Sequence, residues 1–574
     1  MATARLPDDP SFGQLRRQAK DLRDLSRAGV QGALDLVGAH HPDGPHAVSL
    51  AGAQFVVARH YGFPSWAALR RYVTTIERYR GAPDEVASAD EPAGEFLMLA
   101  CLRYGDDDSP ERWQRAARLL AGHPEITRNS VHAAAAAADA GALEALLREN
   151  PALAGAEGGP YRWEPILYLA YARHDPSVSE EATVRSARLL LDHGADPNAG
   201  YLWHGLIPPF TALTGALGSG EGGQPQHPHG LALARTLLEA GADPNDGQAL
   251  YNRQFDSDDS HLRLLLRHGL GRGDGGPWRA RLGGRIDAPA ELIREQLRWA
   301  VTHDMRDRVR LLAEHGADLR APFEAGEDRL VRCVNACDGR TPAEVAAVCG
   351  CWAVLDWLVE HGGVPRPAAE GADGFIAAAL AGDRRTAGRL AVHAAAARAQ
   401  RPGLIVWAAS RRAWPAIPLL AEFGWDVNAR ARTDFPMEQE WETALHEVAG
   451  QARSTLPACS SGWAPTPASA TPASTPHRSA GPSTSAGRPW PTTSARSPPH
   501  SSRPPASGRA LPCHGFRACR MLADGRAACG GDLSCRCRRS RWPAVRTTGP
   551  APWLRVPSVR HEALRSGAVA LSPR

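Results

Sequence analysis

Lysine is almost absent from this chain. Of its 66 basic side chains Lys20 is the single lysine and the rest are arginine, a bias that accompanies a GC-rich coding sequence. Aromatic residues make up only 6% of the 574 residues and methionine numbers five, so any core must be filled mainly by Leu, Ala and Val. No charge-free apolar run reaches the 18 or so residues a membrane-spanning helix needs, and the opening MATARLPDDPSFGQ lacks a secretory apolar core. The expected compartment is therefore the cytoplasm. H-E-x-x-H, G-x-x-x-x-G-K-[ST] and G-x-S-x-G are missing, and with them the standard metalloprotease, P-loop and serine-hydrolase signatures. Eleven cysteines, an odd number without an export signal, do not describe a disulfide framework.

What is present divides into three regions: 1–85, 90–450 and 451–574. The formal net charge of +4 conceals a split, because residues 1–450 hold 48 basic against 59 acidic side chains. Residues 451–574 hold 18 arginines against Asp524, Asp532 and Glu562. In the first region Phe12, Leu15, Ala19, Leu22 and Leu25 recur at three- and four-residue steps among charged neighbours, which predicts an amphipathic helix from Ser11 to about Gly29. Further helices are expected from about Ser49 to His60 and from Ser65 to Tyr72.

The middle region repeats. LLLDHGADPN (189–198), LLEAGADPN (237–245), LLLRHGLG (264–271), LLAEHGADL (311–319), LVEHGGV (358–364) and LLAEFGWDVN (419–428) each end an apolar helix in a turn. Gly194, Gly241, Gly269, Gly316, Gly362 and Gly424 fall where a helix C-terminus turns left-handed, a step glycine takes without steric penalty. Asp196, Asp243, Asp318 and Asp426 follow as short side chains able to bond the turn backbone. The other half of the unit is DGRTPAEVAAVCG (338–350) and WETALHEVAG (441–450), with Thr341 expected to cap a helix beginning at Pro342 and Thr443 to do the same before Ala444. About ten helix pairs are expected between residues 93 and 450, the last cut short. The glycine spacings of 47, 28, 47, 46 and 62 imply insertions, one at GSGEGGQPQHPH (218–229) and one at NAGYLWHGLIPPF (198–210).

Thr-Pro helix start, tight turn, Leu-rich helix, Gly-Ala-Asp turn: this order resembles the ankyrin repeat, and over residues 90–450 the chain resembles bacterial, actinobacterial-type ankyrin-repeat proteins. AQFVVARHYGFPSWAALRRYV (53–73) resembles a short helical module found ahead of such arrays. The resemblance implies an all-α solenoid of stacked helix pairs, preceded by a helical N-terminal module and followed by a disordered tail. It also implies a scaffold that binds a protein partner through turn tips and inner helices, with no membrane association and no catalysis of its own. A second reading is a regulatory or carrier subunit whose chemistry a partner supplies.

Few residues suggest chemistry. Gly218, Gly220 and Gly223 match G-x-G-x-x-G but follow a helical segment instead of a strand, which makes them an insertion loop. Cys333, Cys337, Cys349 and Cys351 are spaced C-x3-C-x11-C-x-C, too tight at one end for a zinc knuckle and better read as small buried thiols. His446 in T-A-L-H reads as a structural histidine of the repeat. No catalytic residue, cofactor or metal is expected. Partner contacts are assigned to Trp163, Tyr201, Trp203 and His204 near repeat turns, and to Asn252, Arg340, Arg430 and Arg432. For the aromatics the alternative is packing of the enlarged 198–210 loop.

After Gly450 the repeat pattern stops and a Ser/Thr/Pro/Ala-rich composition without periodicity takes over, which is the signature of disorder. A shifted reading frame explains the break. Taking each hidden codon as the third base of one residue and the first two of the next, Ser460 to Ala486 permits LLGLGADPGVRDARFDATPLGWAEHFG. That string holds a helix end, a Gly-Ala-Asp-Pro turn and a Thr-Pro-Leu start in repeat order. The alternative is a genuine basic tail, which would contact nucleic acid or an acidic protein through arginine. The frame reading predicts that the frame-restored protein resists limited proteolysis between residues 440 and 510 better than the present chain does. Equal resistance would show the tail to be native structure.

Overall fold

A computed structural model describes residues 4, 6–7, 10–89, 91–220, 223–324, 337–430 and 443–454. Cys333, Arg432 and residues 455–574, with Cys513, Cys519, Cys529, Cys535 and Cys537, lie outside the described residues, whereas residues 451–454, expected to belong to the disordered tail, are helical. The described chain is mostly helical. Among the described residues no helix is long and apolar enough to cross a membrane.

The N-terminal region holds α1 (Phe12–Arg27), α2 (Gln31–His40), α3 (Leu50–His60) and α4 (Trp66–Tyr79). Leu15, Ala19 and Leu22 of α1 are fully buried with Val37, Val56 and Leu69 in one small core. Ser49 and Ser65 cap α3 and α4 by accepting from the backbone N–H groups of Gly52 and Ala68. Ser11 makes no such side-chain bond. α4 continues a further two turns past Tyr72 because Val73 and Ile76 extend its buried stripe.

A short strand β1 (Arg80–Gly81) follows, then helices in pairs: α5 (Pro92–Ala100) with α6 (Pro110–Gly122), a short α7 (Glu125–Asn129), and α8 (Val131–Ala136) with α9 (Ala140–Glu149). α10 (Pro165–Tyr171) pairs with α11 (Glu180–Asp192). Between them and the next pair lie strands β2 (Gly200–Trp203) and β3 (Phe210–Thr211). α12 (Ala212–Leu217) pairs with α13 (Gly230–Glu239), and α14 (Gly247–Arg253) with α15 (Ser260–Arg267). After an inserted α16 (Gly276–Leu282) come α17 (Pro289–Thr302) with α18 (Arg306–Glu314), α19 (Pro342–Cys349) with α20 (Trp352–Glu360), and α21 (Gly371–Leu380) with α22 (Arg384–Arg389). α23 (Ala394–Gln400), the pair α24 (Leu404–Ser410) and α25 (Ala416–Glu422), and a lone α26 (Ala444–Ser454) complete the described chain.

First helices pack on first helices: α5 on α8, α8 on α10, α10 on α12, α12 on α14, then α17 on α19 and α19 on α21. Second helices form a parallel row, α9 on α11, α11 on α13, α13 on α15, and α18 on α20. A single hydrophobic core runs through these rows from Phe96 to Trp425. Every residue of α10 and of α12 is buried, as helices flanked on all sides require. α26 packs on α24, yet Leu445 on it is 76% exposed and Val448 37%.

The turns follow the expected chemistry with one exception. Gly194, Gly241, Gly269, Gly316 and Gly424 have φ between 89° and 102°. The side-chain oxygens of Asp196, Asp243, Asp318 and Asp426 accept from the backbone N–H two residues on, at 2.8 to 3.1 Å. Gly362 departs from the expectation. The left-handed step falls on Gly363 (φ 62°), while a Cβ on Gly362 would lie 2.7 Å from the Leu358 carbonyl oxygen, so Gly362 serves close approach. Thr341 forms a full capping box with Glu344, and Pro342 opens α19.

The N-terminal region is bolted to the insertions. β1 pairs in parallel with β2, Arg80 opposite Leu202, and β2 pairs antiparallel with β3, Tyr201 opposite Phe210. Ile76, Leu202, Trp278, Leu282 and Ile286 bury one another as a separate small core between α4, β2 and α16. Arg285 donates to the Tyr61 carbonyl at 2.7 Å and lies 4.6 Å from the Phe63 ring centroid.

Nothing lies within 4 Å of a Cβ built on Gly194 or Gly241, so substitution there costs backbone strain alone. Gly194→Val or Gly241→Val should destabilise the protein by about 1–2 kcal/mol or more. Gly122→Ala, at ordinary φ and equally uncrowded, should be neutral or stabilising. Thermal melts of the three variants check this, and equal melting temperatures would contradict it.

Candidate functional site

The enlarged turn at 198–210 is where sequence reasoning concentrated its contacts, and the structure folds it inward. Pairing with β1 on one side and β3 on the other turns the loop into a short sheet. Its aromatics then fall among those of α10. Trp163 stacks on Tyr201 with ring centroids 4.9 Å apart, and Tyr201 lies 5.7 Å from Phe210 and 6.1 Å from Tyr171. Trp203 donates its indole N–H to the Arg103 carbonyl at 3.3 Å. His204, at φ 51°, donates its backbone N–H to Gly81 and places Nε2 2.8 Å from Asp84.

Trp163, Tyr201 and Trp203 are therefore interior packing groups and do not offer a contact surface. Asn252 is also buried, donating to the Tyr104 hydroxyl at 2.9 Å and accepting from Gln248 at 2.8 Å. Arg340 is engaged by Asp373 at 2.6 and 2.9 Å. Arg430 is exposed on the turn after α25, and Arg432 lies outside the described residues. The hairpin thus gathers Trp163, Tyr201, Trp203 and His204 as architecture, with Asn252 tied in through Tyr104, whose ring is 5.0 Å from Phe210.

The buried ionisable groups are spent on packing. The Asp246 carboxylate caps α14 by accepting from Ala249 N–H at 2.8 Å, and also accepts from the hydroxyls of Thr211 and Thr214 at the start of α12. Burial, against these hydrogen bonds, pushes its pKa up to about 6. Burial likewise raises Glu164 to about 7, with Asp196 nearby adding to the shift. The depression beside Asp246, lined by Pro197, Asn198, Pro208, Asp243 and Trp278, encloses about 30 Å³. That is room for about two or three water molecules, far below the roughly 300 Å³ or more of a typical ligand pocket. A shallow depression of about 350 Å³ on the outer face of α11 is lined by Glu181, Arg185, Arg188 and Asp192.

The remaining sequence candidates fall into structural roles. Gly218, Gly220 and Gly223 occupy a loop between α12 and α13 at φ 58°, 143° and 67°, with no strand before them. Cys337, Cys349 and Cys351 are buried, and the Cys351 thiol donates to the Thr302 carbonyl at 3.3 Å. His446 receives the Thr443 N–H at 3.2 Å on Nδ1, closing the first turn of α26.

Sequence reasoning missed what the Asn of each GADPN turn does. Asn198 donates to the Gly241 carbonyl at 3.1 Å and accepts from Asp243 N–H at 2.8 Å. Asn245 repeats the bond pair one unit on, to the Arg272 carbonyl at 3.1 Å and from Gly271 N–H at 2.8 Å. The signal was the recurrence of Asn two residues after the turn Asp. These amides tie together three successive turns, those at Gly194, Gly241 and Gly269. Comparison of the chain with known protein-family models and with curated proteins returns no match.

Buried histidines give this architecture a pH signature. Burial lowers His174 to about 4 and His261 to about 3. His174 Nδ1 has no hydrogen-bond partner, and its ring meets Phe96 edge-on at 5.0 Å. Below the unfolded value of 6.5 the unfolded chain binds protons the folded chain refuses, so this contribution is complete above pH 6.5 and lost on acidification toward pH 4. Between pH 6.5 and 4.5 His174 alone should account for on the order of 2 kcal/mol of lost stability. Denaturant melts at the two pH values should show His174→Leu losing less stability than the unaltered protein, and identical losses would contradict the assignment.

Proposed function

We propose that this protein is an ankyrin-repeat solenoid that works as a protein-binding scaffold in the cytoplasm, without catalysis of its own. The observation that carries the reading is the edge of Gly-Asp turns aligned by Asn198 and Asn245. Turns held in register over successive helix pairs make an extended ledge of fixed shape, which suits recognition of a folded partner or a long peptide. Three further observations favour binding over chemistry. The buried Asp246 carboxylate is occupied by capping bonds, the space beside it holds only a few waters, and the interior aromatics pack against each other.

The contact surface is reassigned from the interior aromatics to exposed acidic groups of the turn edge such as Asp192, Asp318 and Asp426. Residues 1–450 carry an acidic excess, so the favoured partner is a protein with a basic face. The second reading, a regulatory or carrier subunit, uses the same surface and differs in whether the partner's turnover changes on binding.

Affinity purification with the full chain, followed by hydrogen exchange on the complex, tests the proposal. Protection should concentrate in the turn segments 192–199, 240–246, 316–321 and 424–430, and binding should weaken as salt is raised. Protection confined to the outer faces of α9, α11 and α13 would overturn the assignment of the surface. Substrate turnover by the purified chain alone would overturn the absence of catalysis.

A further inference from the structure

HHPDGPH (40–46), running from the end of α2 into the loop before α3, places three ligand-type side chains together. We propose that His41, Asp43 and His46 bind one divalent transition-metal ion of the zinc class, completed by water. One potential ligating atom from each of the three lies within 4.8 Å of those of the other two.

The geometry prepares both imidazoles. His46 Nδ1 lies 2.7 Å from the Gly44 carbonyl, which can only accept, so the proton sits on Nδ1 and the Nε2 lone pair is left available. A backbone carbonyl holding the far nitrogen is the usual support of a metal-ligating histidine. His41 Nδ1 accepts the Asp43 N–H at 3.3 Å, longer than an ordinary N–H bond, and a metal on Nδ1 would replace that weak contact. The two rings meet edge-on at 4.8 Å, and His41 rests against Phe55 at 6.0 Å. Gly44 supplies the left-handed turn (φ 79°), and Pro45 packs against Gly38 of α2.

Distances favour a small ion. Bonds of about 2.1 Å in tetrahedral array separate ligand atoms by about 3.4 Å. The His41 Nδ1 to Asp43 Oδ2 separation is already 3.7 Å. The Asp43 carboxylate, 76% exposed, is free to swing in and close the remaining edge. Two imidazoles and one carboxylate suit Zn²⁺, Ni²⁺ or Co²⁺ and disfavour Ca²⁺ and Mg²⁺, which prefer all-oxygen sites. His40 and His60 face each other at 3.4 Å and lie outside the ligand set.

Equilibrium dialysis of the full, reduced chain with Zn²⁺ tests the site. Because accessible thiols among the chain's eleven cysteines can compete for zinc, the readout is the difference between proteins. The unaltered chain should bind one equivalent more than His46→Ala, and Asp43→Asn should weaken that equivalent about tenfold. His361→Ala, an exposed histidine elsewhere, should leave binding unchanged. Circular dichroism verifies that each variant folds. Should His46→Ala fail to fold, Asp43→Asn decides the matter, since its exposed carboxylate supports no packing. Zinc binding of equal stoichiometry and affinity in the unaltered chain and in Asp43→Asn would overturn the proposal.

Discussion

A helix pair inside this stack, such as α10 with α11, has apolar groups that its own two helices cannot cover. The rest of the structure answers that constraint. α10 is the extreme case, with all of its residues from Pro165 to Tyr171 buried between α8, α11 and α12. A helix apolar all round has no stable place at a surface. At about 1.5–3 kcal/mol for each large apolar side chain removed from water, the loss of a neighbour would expose more than most single interactions supply. The exposed Leu445 on α26 marks the point at which a described neighbour is lacking.

Stacking alone leaves register free to slide, and polar groups remove that freedom. On the turn edge Asn198 and Asn245 bond the backbone of the following unit. On the other side buried guanidiniums do comparable work. Arg308 donates to Asp259 at 2.6 Å and to the carbonyls of Gln254 and Asp256, and Arg173 donates to four carbonyls, including Gly215 at 2.7 Å. A guanidinium has five donors in a fixed fork, so one side chain can satisfy several orphan helix-end carbonyls at once. Arginine, not lysine, fits that task.

Much of the helical pattern was legible because its signals are local. The stripe from Phe12 to Leu25, the capping pair Thr341 and Glu344, and the glycines at 194, 241, 269, 316 and 424 need only neighbouring residues to act. α2 was not legible, since Gly32 and Gly38 dilute it and only Ala33 and Val37 are buried. Nor was the inward fold of the 198–210 loop. Its aromatics sit beside repeat turns in sequence, and only pairing of β2 with the distant β1 turns Tyr201 and Trp203 inside. The cluster of His41, Asp43 and His46 was not legible either, since only the left-handed turn at Gly44 brings the two imidazoles edge to edge.

The clasp between β1, β2 and α16 alters how the protein should come apart. A linear stack communicates only between nearest neighbours, so its units can melt in sequence from either end. Here Tyr61 is bonded to Arg285, and Ile76 is buried with Leu202 and Trp278. Residues more than two hundred apart along the chain thereby share one cooperative fate. The part of the chain up to α16 thus gains a long-range tie, while from α17 to α25 the described helices pack on near neighbours. The front of the molecule should therefore unfold more cooperatively than a simple stack of helix pairs would.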